Sequence, residues 1–117
     1  MKTIKFYRTK TGKCPVEEHL DTLTDGQVSK IAWVLKLIRE IDIVPTKYFK
    51  KLVNTEGIWE VRVNFGSNTF RILGFIHSGE LIVLTNSFQK KTQKTPPNEI
   101  KLAEKRKKDY LTRRDNG

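Results

Sequence analysis

Residues 57–76 read GIWEVRVNFGSNTFRILGFI, and their pattern is the clearest indication of the fold in this chain. Apolar and polar side chains alternate through its first half, with Trp59, Val61, Val63 and Phe65 opposed to Glu60, Arg62 and Asn64. Because successive side chains of a strand point to opposite faces, the alternation predicts a strand with one apolar face. Gly66-Ser67-Asn68 is a turn cluster of suitable length for a hairpin. The stretch therefore predicts an antiparallel hairpin in which Arg71 lies near Arg62 or Glu60.

Two further strands and two helices are predicted around this hairpin. Residues 2–8 alternate, and residues 81–84 form the apolar run LIVL that is typical of a covered strand. Pro15 suits the first position of a short helix. Thr24 and Gln27 have the spacing of a capping box, which opens a second helix that ends before Pro45.

A C-terminal helix is predicted from Pro96, with Ile100, Ala103 and Tyr110 near helical spacing. It is expected to cover the second face of the sheet, because the strands over residues 69–76 and 81–84 are apolar at nearly every position. The pattern predicts the α+β class: an antiparallel sheet with a two-helix hairpin on one face and a C-terminal helix. Residues 1–117 are expected to form a single domain, with residues 112–117 as a frayed tail.

The charge of the chain points to an anionic partner. The 23 Lys and Arg residues outnumber the 13 Asp and Glu residues, for a formal net charge of +10. Residues 89–117 contribute +6 of this charge, because they hold 10 cations and 4 acids. This asymmetry favours nucleic acid first, an acidic protein second and a membrane surface third, although a solvated helical face is the alternative for residues 105–108.

Cysteine usage and hydropathy indicate the compartment. The single cysteine, Cys14, excludes an intramolecular disulfide and fits a reducing cytoplasm. Residues 1–8 lack the apolar region of a signal peptide, and no apolar stretch reaches 18 residues, so we expect a cytoplasmic protein without a membrane partner. Two separated histidines and one cysteine offer no metal-ligand spacing, so neither a metal nor a cofactor is expected.

The segment FQKKTQKTP, residues 88–96, follows the last predicted strand. An aromatic ring followed by clustered lysines offers a face on which a base can stack, beside a rim that attracts phosphate. Two simpler interpretations remain open: the lysines form a solvated basic loop, and Phe88 belongs to the core.

The order of four motifs resembles the RelE/HigB superfamily of toxins, most closely its HigB-like, phage-derived-protein branch. These motifs are Lys50-Lys51-Leu52, Ile58-Trp59-Glu60-Val61-Arg62, Phe70-Arg71-Ile72-Leu73 and residues 88–96. The resemblance covers nearly the whole chain, and residues 88–96 are its most specific part. It implies a RelE-like fold and the toxin of a type II toxin–antitoxin pair, an endoribonuclease that cleaves mRNA on the ribosome.

The resemblance also implies a partner, a HigA-like helix-turn-helix antitoxin that neutralises the toxin. Operator DNA would then be bound only through the antitoxin, while mRNA and the ribosome are bound by the toxin itself. Cleavage needs no metal, because the 2′-hydroxyl of the RNA can attack the adjacent phosphate in line. The protein must orient the strand, stabilise negative charge and assist proton transfer.

Candidate residues for these tasks follow from the motifs. Arg71 is the first candidate for gripping the phosphate in the transition state and Arg62 the second, since a planar guanidinium holds two oxygens and keeps its charge. Lys90 and Lys91 match basic family positions, and a lysine with a lowered pKa can act as the general base. Glu60 is the rival base, or else an ion-pair partner of Arg62. The predicted RNA-binding residues are Lys94, Phe88, Lys50 and Lys51.

The proton donor is not assigned, because His19 and His77 do not match the family position for it and Tyr110, in the middle of the C-terminal helix, is expected in the core. Two functions other than a nuclease remain open. One is a non-catalytic basic module that binds nucleic acid, and the other is a phage-derived protein whose basic face docks an acidic partner. The pair of arginines predicted on adjacent strands favours the nuclease, because scattered lysines would suffice for nonspecific binding.

Overall fold

The hairpin of residues 57–76 lies inside a larger sheet. Within residues 1–116, which the computed structural model describes, five strands form one sheet in the order β1-β5-β4-β3-β2. The elements in chain order are β1 (Thr3–Phe6), α1 (Pro15–Leu20), α2 (Asp25–Glu40), β2 (Phe49–Lys51), β3 (Trp59–Phe65), β4 (Asn68–His77), β5 (Leu81–Gln89) and α3 (Pro97–Asn116). The predicted α+β class is confirmed, with helices on both faces of the sheet.

The sheet differs from the predicted antiparallel meander at both edges. Strand β1 pairs with β5 in parallel, with Thr3 opposite Leu81, so the sheet is mixed and the fully antiparallel prediction is wrong there. The chain between these strands carries α1, α2 and the hairpin, which is long enough for the crossover that parallel pairing requires. Strand β2 was not predicted, since its three residues are too few to show an alternating pattern.

The helices α1 and α2 cover one face, as predicted. The hydroxyl of Thr24 accepts a hydrogen bond from the Gln27 amide at 3.2 Å, and the Gln27 side chain accepts one from the Thr24 amide at 3.0 Å. The capping box is therefore confirmed. The core on this face consists of buried side chains from α1, α2 and the strands, namely Val16, Ile31, Val34, Ile38, Phe49, Val61, Val63, Phe70, Ile72, Ile82 and Leu84.

Helix α3 covers part of the opposite face. Ala103 packs with Ile58 and Leu73, while Tyr110 packs with Phe75 and Val83. The helix continues to Asn116, into the segment predicted as a frayed tail; Gly117 lies outside the described residues. In this last part, the Arg113 guanidinium lies 2.8 Å from Asp109 of the preceding turn. None of the helices in residues 1–116 is both long enough and apolar enough to cross a bilayer.

A β-bulge in β5 fixes α3 to the sheet. Leu73 is opposite Asn86 and Gly74 is opposite Leu84, which leaves Thr85 as an extra residue. A Cβ atom at Gly74 would lie 2.3 Å from the Val83 carbonyl oxygen, so the close approach of the strands requires glycine. Arg106 of α3 donates to the Thr85 carbonyl at 2.9 Å, and Asn86 donates to the side chain of Glu99 at 2.9 Å.

Candidate nucleic-acid interface

Strand pairing brings the predicted charged residues together on the α3 face. Arg62 and Arg71 are directly opposite each other on β3 and β4, and Phe88 of β5 is opposite Arg71. Side chains of directly opposed residues lie on the same face of a sheet. Glu60, two residues before Arg62, shares this face. The prediction that Arg71 lies near Arg62 or Glu60 is confirmed, and the structure places both residues beside it.

The two arginines border an open cleft. The cleft has a volume of about 400 Å³. It is lined by Arg62, Thr69, Arg71, Lys90, Lys91, Thr92 and Gln93. The Lys90 amide donates to the Thr69 carbonyl at 2.8 Å, which holds the start of the lysine segment against β4. The structure thus places four of the predicted catalytic residues, Arg62, Arg71, Lys90 and Lys91, around a single cleft.

Glu60 joins the two arginines that line this cleft. Its side chain is only 3% exposed, and Oε1 lies 3.3 Å from Nε of Arg62 and 3.4 Å from Nε of Arg71. The second oxygen, Oε2, accepts a hydrogen bond from the hydroxyl of Thr95. Because both oxygens are engaged, the geometry supports the ion-pair interpretation of Glu60 over its use as a base. Thr95 is not predicted as a site residue from the sequence, where its position before Pro96 indicates only a helix start.

Arg71 is a mostly buried cation. Its side chain is 8% exposed, and Nη1 donates to the Phe70 carbonyl at 3.0 Å. Burial lowers the pKa of Arg71, while Glu60 acts in the opposite direction and Arg62 lowers it further. A guanidinium nevertheless stays protonated in proteins. Among the described residues, its buried Nε has no hydrogen-bond partner of good geometry. Arg71 therefore presents a fixed positive charge at the cleft.

The environment of Lys90 lowers the pKa of its side chain. Partial burial lowers the pKa of the Lys90 ammonium, and the positive charges of Arg71 and Arg62 lower it further, against the opposing effect of Glu60. A lowered pKa is the property that a lysine needs in order to act as a general base. Lys91 is exposed at the rim of the same cleft.

The four predicted RNA-binding residues do not all lie on the face of the sheet that carries the cleft. Phe88 is half-buried and packs against Ile58, Leu73 and Ala103, which supports its interpretation as part of the core. Lys50 is opposite Glu60 and shares the cleft face, whereas Lys51 is opposite Trp59 and points to the other face. Lys94 is exposed, and its carbonyl accepts a hydrogen bond from Thr92 at 2.8 Å. The binding roles of all four residues stay predictions.

The two histidines lie away from the cleft. His19 shares a hydrogen bond of 2.7 Å with Ser87, which faces the helices α1 and α2, and His77 lies beside Tyr110. Tyr110 is 9% exposed, as expected of a core residue. The proton donor therefore stays unassigned.

Among residues 1–116, no three His, Cys, Asp or Glu side chains converge in a way that would hold a metal ion.

Comparison with known proteins places the chain in a family. The family model described as "Phage derived protein Gp49-like (DUF891)" matches residues 18–108, which include α2 and every residue that lines the cleft. No curated protein matches the chain. Because the match covers well over half of the chain, this protein belongs to the Gp49-like family of phage-derived proteins, a family associated with toxin–antitoxin systems.

Proposed function

We propose that the protein is the toxin of a type II toxin–antitoxin pair, a metal-independent endoribonuclease of the RelE/HigB superfamily that cleaves mRNA engaged by the ribosome. The observation that carries this proposal is the cleft in which Arg62, Arg71 and Lys90 converge above Glu60. Membership of a toxin-associated family supports the same function.

The proposed reaction is an in-line transesterification within the RNA. The 2′-oxygen forms a bond to the adjacent phosphorus while the bond to the 5′-oxygen breaks, which leaves a 2′,3′-cyclic phosphate and a 5′-hydroxyl. Arg71 and Arg62 bind the non-bridging oxygens, whose negative charge grows in the transition state. Neutral Lys90 accepts the proton of the 2′-hydroxyl. The leaving oxygen takes a proton from a donor that the described residues do not identify.

The pH dependence of cleavage tests the role of Lys90. A base acts in its deprotonated form, so the rate is expected to rise with pH and level off above the pKa of Lys90, which lies below the ordinary lysine value of 10.5. Lys90→Arg should abolish this rise, because a guanidinium does not deprotonate. The measurement is the initial cleavage rate between pH 6 and pH 9.5, corrected for RNA hydrolysis without protein. An identical profile for Lys90→Arg would exclude Lys90 as the base.

The salt dependence of RNA binding tests whether Lys90 and Lys91 contact phosphates. Replacing Lys90 and Lys91 by glutamine should weaken single-stranded RNA binding and flatten its salt dependence. Each lost phosphate contact removes roughly 0.7 from the slope of log affinity against log salt, or about 1.4 for both. Lys36→Gln together with Lys13→Gln is a matched control, since these lysines do not line the cleft. An unchanged slope in the Lys90/Lys91 variant would show that both lysines are merely solvated.

The nuclease proposal itself is tested in a translating extract with 5′-end mapping of a defined mRNA. The expected result is new 5′-hydroxyl ends inside the reading frame that depend on active translation. The same mRNA without ribosomes provides the control for ribosome dependence. RNA binding without new ends would contradict the nuclease proposal and favour the non-catalytic nucleic-acid-binding module.

We further propose that a helix-turn-helix antitoxin neutralises the protein in the cytoplasm. It would cover the Arg62/Arg71/Lys90 face or displace an element that holds this face. The net charge of +10 supports an acidic counterpart, and electrostatic steering should make the association fast and sensitive to salt.

A further inference from the structure

A second cationic and aromatic surface lies outside the cleft. Trp33 of α2 is 47% exposed, and its ring meets Tyr48 edge-on with 5.7 Å between the ring centroids. The ammonium of Lys30 lies 4.7 Å from the centre of the Trp33 ring, and that of Lys47 lies 4.9 Å from the centre of the Tyr48 ring. We call these four residues, Lys30, Trp33, Lys47 and Tyr48, the aromatic patch.

Core packing does not account for the exposure of Trp33. The buried face of α2 is formed by Ile31, Val34 and Ile38, and Trp33 lies outside this stripe. A large aromatic ring that stays half in water forgoes much of the free energy that its burial would supply. Lys30, one helical turn earlier, places a cation over the ring. The combination of an accessible ring and adjacent ammonium groups is the arrangement that binds single-stranded nucleic acid.

Arg62 contacts both the cleft and the chain segment of the aromatic patch. The backbone amide of Arg62 donates to the Tyr48 carbonyl at 2.8 Å. The Arg62 guanidinium lies 3.5 Å from the carbonyl oxygen of Thr46, the residue that precedes Lys47 in the chain. Arg62 also lines the cleft. Arg62 therefore links the cleft to the segment that carries Lys47 and Tyr48, which leads into the edge strand β2. Beyond this edge, Trp33 of α2 meets Tyr48 on the other side of the sheet, so an RNA strand that contacts both sites passes around the edge.

We propose that the aromatic patch is an extended subsite for single-stranded RNA, which stacks one base on Trp33 and holds the flanking phosphates with Lys30 and Lys47. This inference rests on the proposed function in that RNA occupies the cleft. Stacking displaces the Lys30 ammonium from the ring and frees it for a phosphate. Every charge in the patch is positive, which matches a polyanion. The subsite thus binds a nucleotide away from the cleavage point and lengthens the contacted RNA.

The test compares RNA oligonucleotides of about 4 and about 12 nucleotides, both carrying 2′-O-methyl groups that prevent cleavage. Trp33→Ala is expected to weaken binding of the longer RNA by roughly 5- to 150-fold, the range for one stacked base, and to leave the shorter RNA unaffected. Trp33→Phe should retain most of the affinity. Val53→Ala, at an 82% exposed apolar residue outside the patch, is the matched control. Equal affinity of Trp33→Ala and wild type for the longer RNA would overturn the proposal.

A spectroscopic measurement tests stacking directly. The chain has two tryptophans, so Trp59→Phe leaves Trp33 as the sole indole fluorophore. The longer RNA is expected to quench its emission, and the shorter RNA is not. Quenching by the longer RNA without mRNA cleavage would support the subsite and contradict the proposed nuclease activity. Cleavage of mRNA without quenching would support the nuclease activity and overturn the subsite. Quenching by a protein encoded beside this gene, with none by RNA, would assign the patch to a protein partner and overturn the proposal.

Discussion

Arg71→Ala is expected to slow mRNA cleavage by on the order of 10²–10³, the usual loss when one transition-state donor is removed. The buried position of Arg71 supports a large effect, because a fixed charge shielded from water interacts strongly with a developing negative charge. Arg71→Lys should recover only part of the rate, since an ammonium cannot grip two phosphate oxygens at once. The measurement is the single-turnover cleavage rate in the translating extract.

The Arg71→Ala protein should still fold, because Glu60 keeps Arg62 as its ionic partner. Arg114→Ala is the control for general loss of charge, as Arg114 is an exposed arginine on α3 and does not line the cleft. Its cleavage rate should match that of wild type. A folded Arg71→Ala protein that cleaves at the full rate would remove Arg71 from the mechanism.

Glu60→Ala is expected to lower the free energy of unfolding by about 3–5 kcal/mol, the range for breaking a buried ion pair from one side. The Glu60 carboxylate is 3% exposed and neutralises two guanidiniums, of which Arg71 is itself mostly buried. Its removal leaves that charge uncompensated and frees the Thr95 hydroxyl that anchors the loop after β5. Urea unfolding followed by circular dichroism measures the change.

Two variants separate this structural role from catalysis. Glu40→Ala, which breaks an exposed pair with Arg39, should change the unfolding free energy by less than about 1 kcal/mol. Combining Glu60→Ala with Arg71→Met should restore part of the lost stability, because the uncompensated charge is removed as well. Wild-type stability in Glu60→Ala, together with a lost cleavage rate, would show instead that Glu60 is the proton acceptor.

Structural features that depend on a short run of neighbouring residues were predictable from the sequence. The hairpin follows from strict alternation over residues 59–65, and its short turn sets the register that pairs Arg62 with Arg71. The start of α2 follows from Thr24 and Gln27, three residues apart. Lys90 and Lys91 reach the cleft because they directly follow a strand that pairs with β4.

Features that depend on distant residues were not predictable in the same way. Nothing in residues 3–6 shows that β1 pairs with β5, which lies more than 70 positions later, or in which direction. The hydrogen bond from Thr95 to Glu60 joins a loop to a strand 35 residues away. The aromatic patch likewise combines Trp33 of α2 with Tyr48 just before β2. These contacts are fixed by tertiary packing, which the local pattern does not contain.

The extra residue Thr85 reverses the face of the sheet to which each later residue of β5 points. If strict alternation continued from Val83, residues 85, 87 and 89 would face α3, and Phe88 and Lys90 would lie on the side of α1 and α2. With Thr85 outside the ladder, Phe88 is opposite Arg71 and Lys90 faces the cleft.

The bulge predicts where insertions and deletions can occur in β5 among members of the family. A relative that has lost the counterpart of Thr85 can keep Leu84 opposite Gly74 and Asn86 opposite Leu73, so its lysine still reaches the cleft from one position earlier in the chain. A single-residue deletion at Ser87 would instead turn the lysine to the wrong side. Gaps between relatives that retain the cleft should therefore fall at position 85 and be absent from 86–90.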